Sequence, residues 1–178
     1  GKTRPALDRF RRTLVWVEGD YLLVLDDIAA EQSVNVTWLM QAPKLEPMDR
    51  AAHHYIMARD QTTIPMRVAA SQPLERRIVE SSADHRGKAL GWAQLRLSTE
   101  TKAIRLASVY DLWGRGDIQV TLNTDGEKAT VVVAGADLDD RWDWTRAADN
   151  RTAATLVGRR TGEVIGEIDA SHTTEQPE

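Results

Sequence analysis

Three short stretches hold the side chains that could do or guide chemistry. The first is His53-His54-Tyr55. Neighbouring residues of a strand point to opposite faces, so at most one of the two His residues and its i+2 neighbour share a side. His54 could act as a general base or hold a carboxylate, because imidazole changes charge near neutral pH. Tyr55 is the companion candidate for proton transfer. The plainer alternative is a surface loop entering a strand. A metal at Asp49, His53 and Asp60 is a weaker idea, because their spacing imposes no ligand geometry.

The second stretch is Trp142-Asp143-Trp144 within DLDDRWDWTR. Two indoles at i and i+2 of a strand face the same way and could form a platform for a sugar ring. Asp139, Asp140 and Arg141 would then meet its hydroxyls. The competing reading is that both rings anchor a long loop on the core, where Trp is usually buried. Acidic neighbours also disfavour an anionic sugar. The third stretch is Trp113-Gly114-Arg115-Gly116-Asp117. Its glycines could let Arg115 approach an acidic sugar, whose carboxylate suits a guanidinium fork. A plain turn is the preferred reading. GxG here is no nucleotide signature, since no strand-to-helix unit surrounds it. Asp84-His85-Arg86-Gly87 reads as a polar turn with a solvated His85, and Asp26 as a structural cap at a strand end.

Something must position these groups, and the chain of 178 residues is long enough for one sizeable domain. A chain of this size buries about 70% of its unfolded surface. It contains no cysteine, which excludes disulfides and thiolate metal sites without fixing the compartment. The formal charge is -4, and the basic residues occur only as scattered doublets. Nucleic-acid binding would need a basic face, so no nucleic acid is expected. No apolar run nears the ~18 residues of a membrane-spanning helix, and no membrane partner is expected. The chain opens on Gly1-Lys2-Thr3-Arg4-Pro5 without an initiator Met or a signal peptide. It is therefore expected to be a piece of a larger protein.

The dominant hydropathy period is two. Leu14–Val17 and Tyr21–Leu25 read as strands around Glu18-Gly19-Asp20, and neither has a polar face, so both sides of this ribbon are expected to be covered. Further strands are predicted over Ser33–Met40, Tyr55–Arg59, Ile64–Ala69, Arg77–Glu80, Trp92–Leu97, Ile104–Tyr110, Ile118–Leu122, Ala129–Val133, Ala154–Gly158 and Glu163–Glu167. Ser98–Lys102 reads as a turn, Thr124-Asp125-Gly126-Glu127 as a hairpin, and Arg159-Arg160-Thr161-Gly162 as a second one. Pro43 and Pro47 mark a loop. Short helical turns are expected within Arg4–Arg12 and Met48–Met57. The fold class is all-β: a multi-stranded antiparallel sandwich of about a dozen strands with little helix. Residues 1–170 are expected to form that single domain, and Ser171–Glu178 a disordered tail.

The segment from Arg12 to Pro43 resembles the start of the C-terminal β-sandwich of the heparinase II/III-like polysaccharide lyases. The resemblance rests on Arg12, Leu14–Val17, Glu18-Gly19-Asp20, Tyr21–Leu25, Asp26 and Trp38-Leu39-Met40-Gln41, and on the later run RLASVYDLW…DIQVTLNTDGEKATVVVAG. It implies a parent in which a helical toroid precedes the sandwich and substrate lies between them. It also implies β-elimination: a base removes the proton α to a uronate carboxyl, and the 4-O-glycosidic bond breaks. The catalytic Tyr and the groups that neutralise the carboxyl come largely from the toroid, which this chain lacks. Some relatives hold zinc through a His where this chain reads Met40-Gln41, and neither side chain is a good zinc ligand. No metal or other cofactor is expected.

The leading expectation is thus a sandwich domain that supports the substrate cleft of a lyase acting on an acidic, uronate-containing polysaccharide, inactive in isolation. Its partners would be that polysaccharide, through the parent enzyme, and the upstream helical domain. A periplasmic or secreted parent is compatible with this. The alternatives are a carbohydrate-binding module gripping sugar with Trp142 and Trp144, and a structural domain for packing or oligomerisation.

Overall fold

The structure, a computed structural model, describes residues 7–49, 53–85, 88–146 and 154–168. The all-β expectation holds. Twelve strands form two antiparallel sheets, and no helix occurs among the described residues. The chain divides into two compact units, Gly1–Gly116 and Asp117–Glu178. The predicted tail lies outside the described residues, as does the turn at Arg86-Gly87.

The first unit carries β1 (Leu7–Val17), β2 (Tyr21–Ala42), β3 (Lys44–Asp49), β4 (His54–Arg59), β5 (Thr62–Ala70), β6 (Glu75–His85) and β7 (Lys88–Tyr110). Their order is β1-β2-β7-β5-β4-β3, with β6 added on β7. β2 and β7 are long, and each was expected as two strands. The turn predicted at Ser98–Lys102 does not form; Ser98 to Thr101 pair with Val34 to Thr37 inside the ladder. Hydrophobic residues pin the strand on either side of this polar stretch: Leu95 and Leu97 before it, Ile104 and Leu106 after it. The interruption falls instead on β2, where the register shifts between Ala29 and Val34 across the exposed Glu31-Gln32-Ser33. One core gathers residues from both ends of these strands, including Val24, Ile28, Trp38, Leu95, Leu97, Ile104, Leu106, Tyr55 and Met66. Fully burying such side chains stabilises by roughly 1.5–3 kcal/mol each.

Other expectations need correction. No helical turn forms over the described part of Arg4–Arg12, which belongs to β1. Met48–Met57 likewise divides between β3 and β4 around residues outside the description. Pro47 lies within β3, opposite Tyr55. β3 ends the sheet order, and an edge strand tolerates a residue without an N–H. Asp26 caps nothing. It sits inside β2 at 1% exposure.

The ribbon expected to be covered on both sides is covered on only one of its strands. Tyr21, Leu23 and Leu25 of β2 are fully buried on one face, and Val24 and Ile28 belong to the unit's core on the other. On β1, however, Phe10, Leu14 and Trp16 are about 60% exposed (59%, 61% and 60%). β1 is the sheet's edge strand, so its side chains extend the core face beyond the reach of that core.

The second unit is a five-stranded meander. It consists of β8 (Gln119–Asp125), β9 (Lys128–Gly135), β10 (Leu138–Thr145), β11 (Thr155–Arg160) and β12 (Glu163–Ile168), paired in sequence order. Both predicted hairpins form. Gly126 takes φ +55° in the first, and Thr161 and Gly162 take φ +48° and +91° in the second. Positive φ at the first central residue alone, as at Gly126, or at both, as at Thr161 and Gly162, gives the two turn types whose twist matches paired strands.

Candidate functional site

The proton-chemistry cluster exists with a changed membership. His54 opens β4 and Tyr55 follows it, so the two point to opposite faces. Tyr55 faces the core and is fully buried. Its partner is His53, two residues back at φ +45°, whose Nδ1 lies 3.2 Å from the Tyr55 hydroxyl. Positive φ is uncommon outside glycine but tolerated by His more than by most residues. The His53 carbonyl is anchored by the Val68 N–H at 3.2 Å. Arg76 of β6 bears on the same phenol, and its Nη1 is buried without a hydrogen-bond partner among the described residues.

The electrostatics of this cluster favour neutral partners. Burial lowers the pKa of His53, and the charge of Arg76 lowers it further. Burial also lowers His54, with Arg67 adding to the effect and Asp49 opposing it. Tyr55 is raised by burial, against the pull of Arg76. A neutral imidazole beside a neutral phenol and a guanidinium has the components of acid–base catalysis. With Tyr55 fully enclosed, a substrate has no path to the hydroxyl, so the arrangement ties β4 to β6. The metal trio does not assemble. His53 and Asp60 flank β4 at opposite ends, roughly 20 Å apart at ~3.3 Å per residue. No group of three His, Cys, Asp or Glu gathers among the described residues. Met40 and Gln41 lie in β2 and offer zinc no good ligand.

A second cluster lies on the core face of β1 and β2. Arg12 Nε and Nη2 donate to the two oxygens of Asp26 at 2.7 and 2.9 Å, and the Trp38 indole N–H donates to the same carboxylate at 3.1 Å. This two-pronged pairing satisfies a carboxylate that would otherwise be costly to bury. It raises the Arg12 pKa, chiefly through the hydrogen bond to Asp26. Tyr110 sits nearby, its phenol pKa raised by burial. Phe10, Leu14 and Trp16 flank Arg12 on the same side of β1.

The Trp113–Gly116 loop joins this edge. Gly114 and Gly116 take φ +72° and +78°. Arg115 Nη2 donates to the buried Asp20 at 2.5 Å, and the Gly116 N–H donates to Asp111 at 2.6 Å. Arg115 thus commits a donor to the β1–β2 turn. The loop sets Trp113, 46% exposed, edge-on to Trp16 with ring centroids 5.3 Å apart.

Trp142 and Trp144 do share a face of β10, as expected, but at 1% and 2% exposure neither offers a ring to a sugar. The reason is local. Trp142 packs over Gly158 of β11, where a Cβ would lie 2.3 Å from the indole, and against Gly166 of β12. Two glycines make the slot that swallows the ring. On the same side, buried Asp140 is held by Arg160 at 2.6 and 2.8 Å. Asp143, on the opposite face, accepts from Thr130, Arg141 and Arg159 at 3.0–3.3 Å.

Sequence reasoning missed Arg76, Trp38 and the exposed aromatic edge. A strand pattern shows which residues share a face, not which strand becomes an edge. The Arg12–Asp26 pairing had a usable signal: opposite charges equidistant from the Glu18-Gly19-Asp20 turn.

No family model matches the chain, and no curated protein matches it. A solved structure does: "heparan sulfate lyase HepC from Pedobacter heparinus", with a TM-score of 0.54 and 15% identity over 70% of this chain. The fold is distantly polysaccharide-lyase-like. The match spans 22% of that enzyme's length.

Proposed function

We propose that this chain is the β-domain of a larger polysaccharide lyase, supporting the cleft in which a uronate-containing polysaccharide undergoes β-elimination and inactive by itself. The observation that carries this reading is the uncovered apolar edge: Phe10, Leu14 and Trp16 in line on β1, joined by Trp113. Soluble proteins rarely leave large apolar side chains exposed in one continuous strip without a use for it. A strip that extends a core face suits a contact between domains of one protein. The occupant we infer is the helical domain preceding β1 in the parent. The fold likeness to a stretch that makes up 22% of a lyase supports the same reading. The groups for proton abstraction then belong to the other domain, because Tyr55 is enclosed.

The test compares this chain with the longer protein that includes the preceding residues, using a uronate polysaccharide and the ultraviolet absorbance of the unsaturated product. The longer protein should generate that product and the 178-residue chain should not. Leu14→Asp with Trp16→Asp should strip activity from the longer protein while leaving this chain folded. Cleavage by the isolated chain would refute the reading. A concentration-dependent dimer that the same substitutions abolish would assign the strip to a second copy instead.

A further inference from the structure

The outward face of β2, β6 and β7 carries a feature that the lyase reading does not use. Arg77 of β6 stands directly opposite Arg96 of β7, and both are exposed. Like charges at directly opposed positions of an antiparallel pair destabilise it. Among the described residues no ion pair relieves either one; Arg96 donates to the Gln94 amide oxygen at 2.6 Å. The next row on the same face is Thr37, Ser98 and Glu75, and the Thr37 and Ser98 hydroxyls lie 3.1 Å apart. A depression of about 410 Å³ lies here, its lining including Asn35, Thr37, Glu75, Arg77, Arg96 and Ser98, with Arg76 beside them. It shares Asn35, Glu75 and Ser98 with a neighbouring depression of about 510 Å³ that adds Gln72, Thr99 and Glu100.

We propose that this trough is a subsite for an acidic oligosaccharide, with one carboxylate or sulfate held between Arg77 and Arg96 and the adjoining sugar ring lying toward Gln72 and Glu100. Resting on the lyase reading, it gives the domain its own contact with the polymer. Two guanidinium forks on neighbouring strands match the oxygens of a carboxylate or sulfate, and a bound anion removes their repulsion. Hydroxyl and amide groups of Asn35, Thr37 and Ser98 serve the remaining oxygens. Glu75 and Glu100 accept from sugar hydroxyls and repel a second anionic group at that end. The trough therefore selects an acidic residue followed by a ring that is neutral where it meets the two glutamates.

The experiment is an NMR titration of the 178-residue chain with four probes: an unsulfated oligouronate, a sulfated glycosaminoglycan oligosaccharide, a neutral glucose oligosaccharide and sodium sulfate. At least one acidic oligosaccharide should shift the amides of residues 35–37, 75–78 and 96–99, more strongly at low salt. Comparison of the first two probes tells a carboxylate ligand from a sulfate. The double variant R77Q/R96Q should weaken binding about tenfold or more, and R77K/R96K much less, given what charged hydrogen bonds contribute. R77Q/R96Q should also melt no lower than the parent, since it removes a repulsion. Equal binding of the neutral sugar, sulfate binding as tightly as the oligosaccharides, no binding at all, or no change in R77Q/R96Q would each overturn the subsite. If the longer protein still produced unsaturated ends in that case, the lyase reading would stand without it.

Discussion

Trp16 and Trp142 both lie on strands with large apolar residues at alternate positions, yet one is 60% exposed and the other 1%. Trp142 has strands on both sides, and on one of them Gly158 leaves room for its ring. Trp16 has a strand on one side only, and its aromatic neighbour is the edge of Trp113. The contrast shows that burial of an aromatic depends on how many strands flank it and on what the neighbouring strand omits. It also moves the surface available to a partner from the acidic DLDDRWDWTR segment to the first strand.

Substitutions can break or sharpen that contrast. Trp142→Ala should have the largest effect, about 3–5 kcal/mol of lost stability by chemical denaturation, because it empties a closed slot. Gly158→Ala should approach it from the other side. A methyl 2.3 Å from the indole forces the ring out, at roughly 2–3 kcal/mol, with a change in Trp fluorescence. If either variant melted like the parent, the buried face of β10 would be misassigned.

The ion pair beside the exposed edge comes next. Asp26→Ala leaves Arg12 and the Trp38 indole N–H without their acceptor. Breaking a buried pair costs about 3–5 kcal/mol, but Arg12 is 45% exposed, so about 2 kcal/mol is expected in a thermal melt. Trp16→Ala should cost about 0.5 kcal/mol or less in this isolated chain, as an exposed edge substitution does. A loss near that of Trp142→Ala would mean that the strip is already covered.

The smallest effect concerns pH. His53 and His54 have pKa values lowered below their usual 6.5 in the folded chain, chiefly by burial. The unfolded chain therefore binds more protons as acid is added. The stability these imidazoles support is present above about pH 6.5 and falls as the pH drops through their lower folded values. Melting temperature followed from pH 7.5 to 5 should decline, and His53→Gln with His54→Gln should flatten the part due to these residues.

Much of the local structure was legible from residues alone. The period-two runs located most of the strands, and Asp125-Gly126 and Thr161-Gly162 located two hairpins, because a two-residue turn needs positive φ and these sequences permit it. Polar stretches misled wherever they lay inside long ladders. Ser98–Lys102 looks like a turn until Val34 to Thr37 are seen bonded to it. The candidate site was half legible: Tyr55 was chosen with His54, although alternation places His53, two residues before Tyr55, on the same side, and that is where the hydrogen bond forms.

By itself, the sequence determined that this chain builds strands rather than helices and where several of them turn, since hydropathy period and turn chemistry act over a few residues. Only the tertiary structure decided that β1 is an edge, that Trp142 enters a glycine slot, that Asp26 meets Arg12 and Trp38, and that Arg77 faces Arg96. Those outcomes depend on which strands become neighbours, and pairing joins residues far apart in the chain through backbone groups that every residue shares.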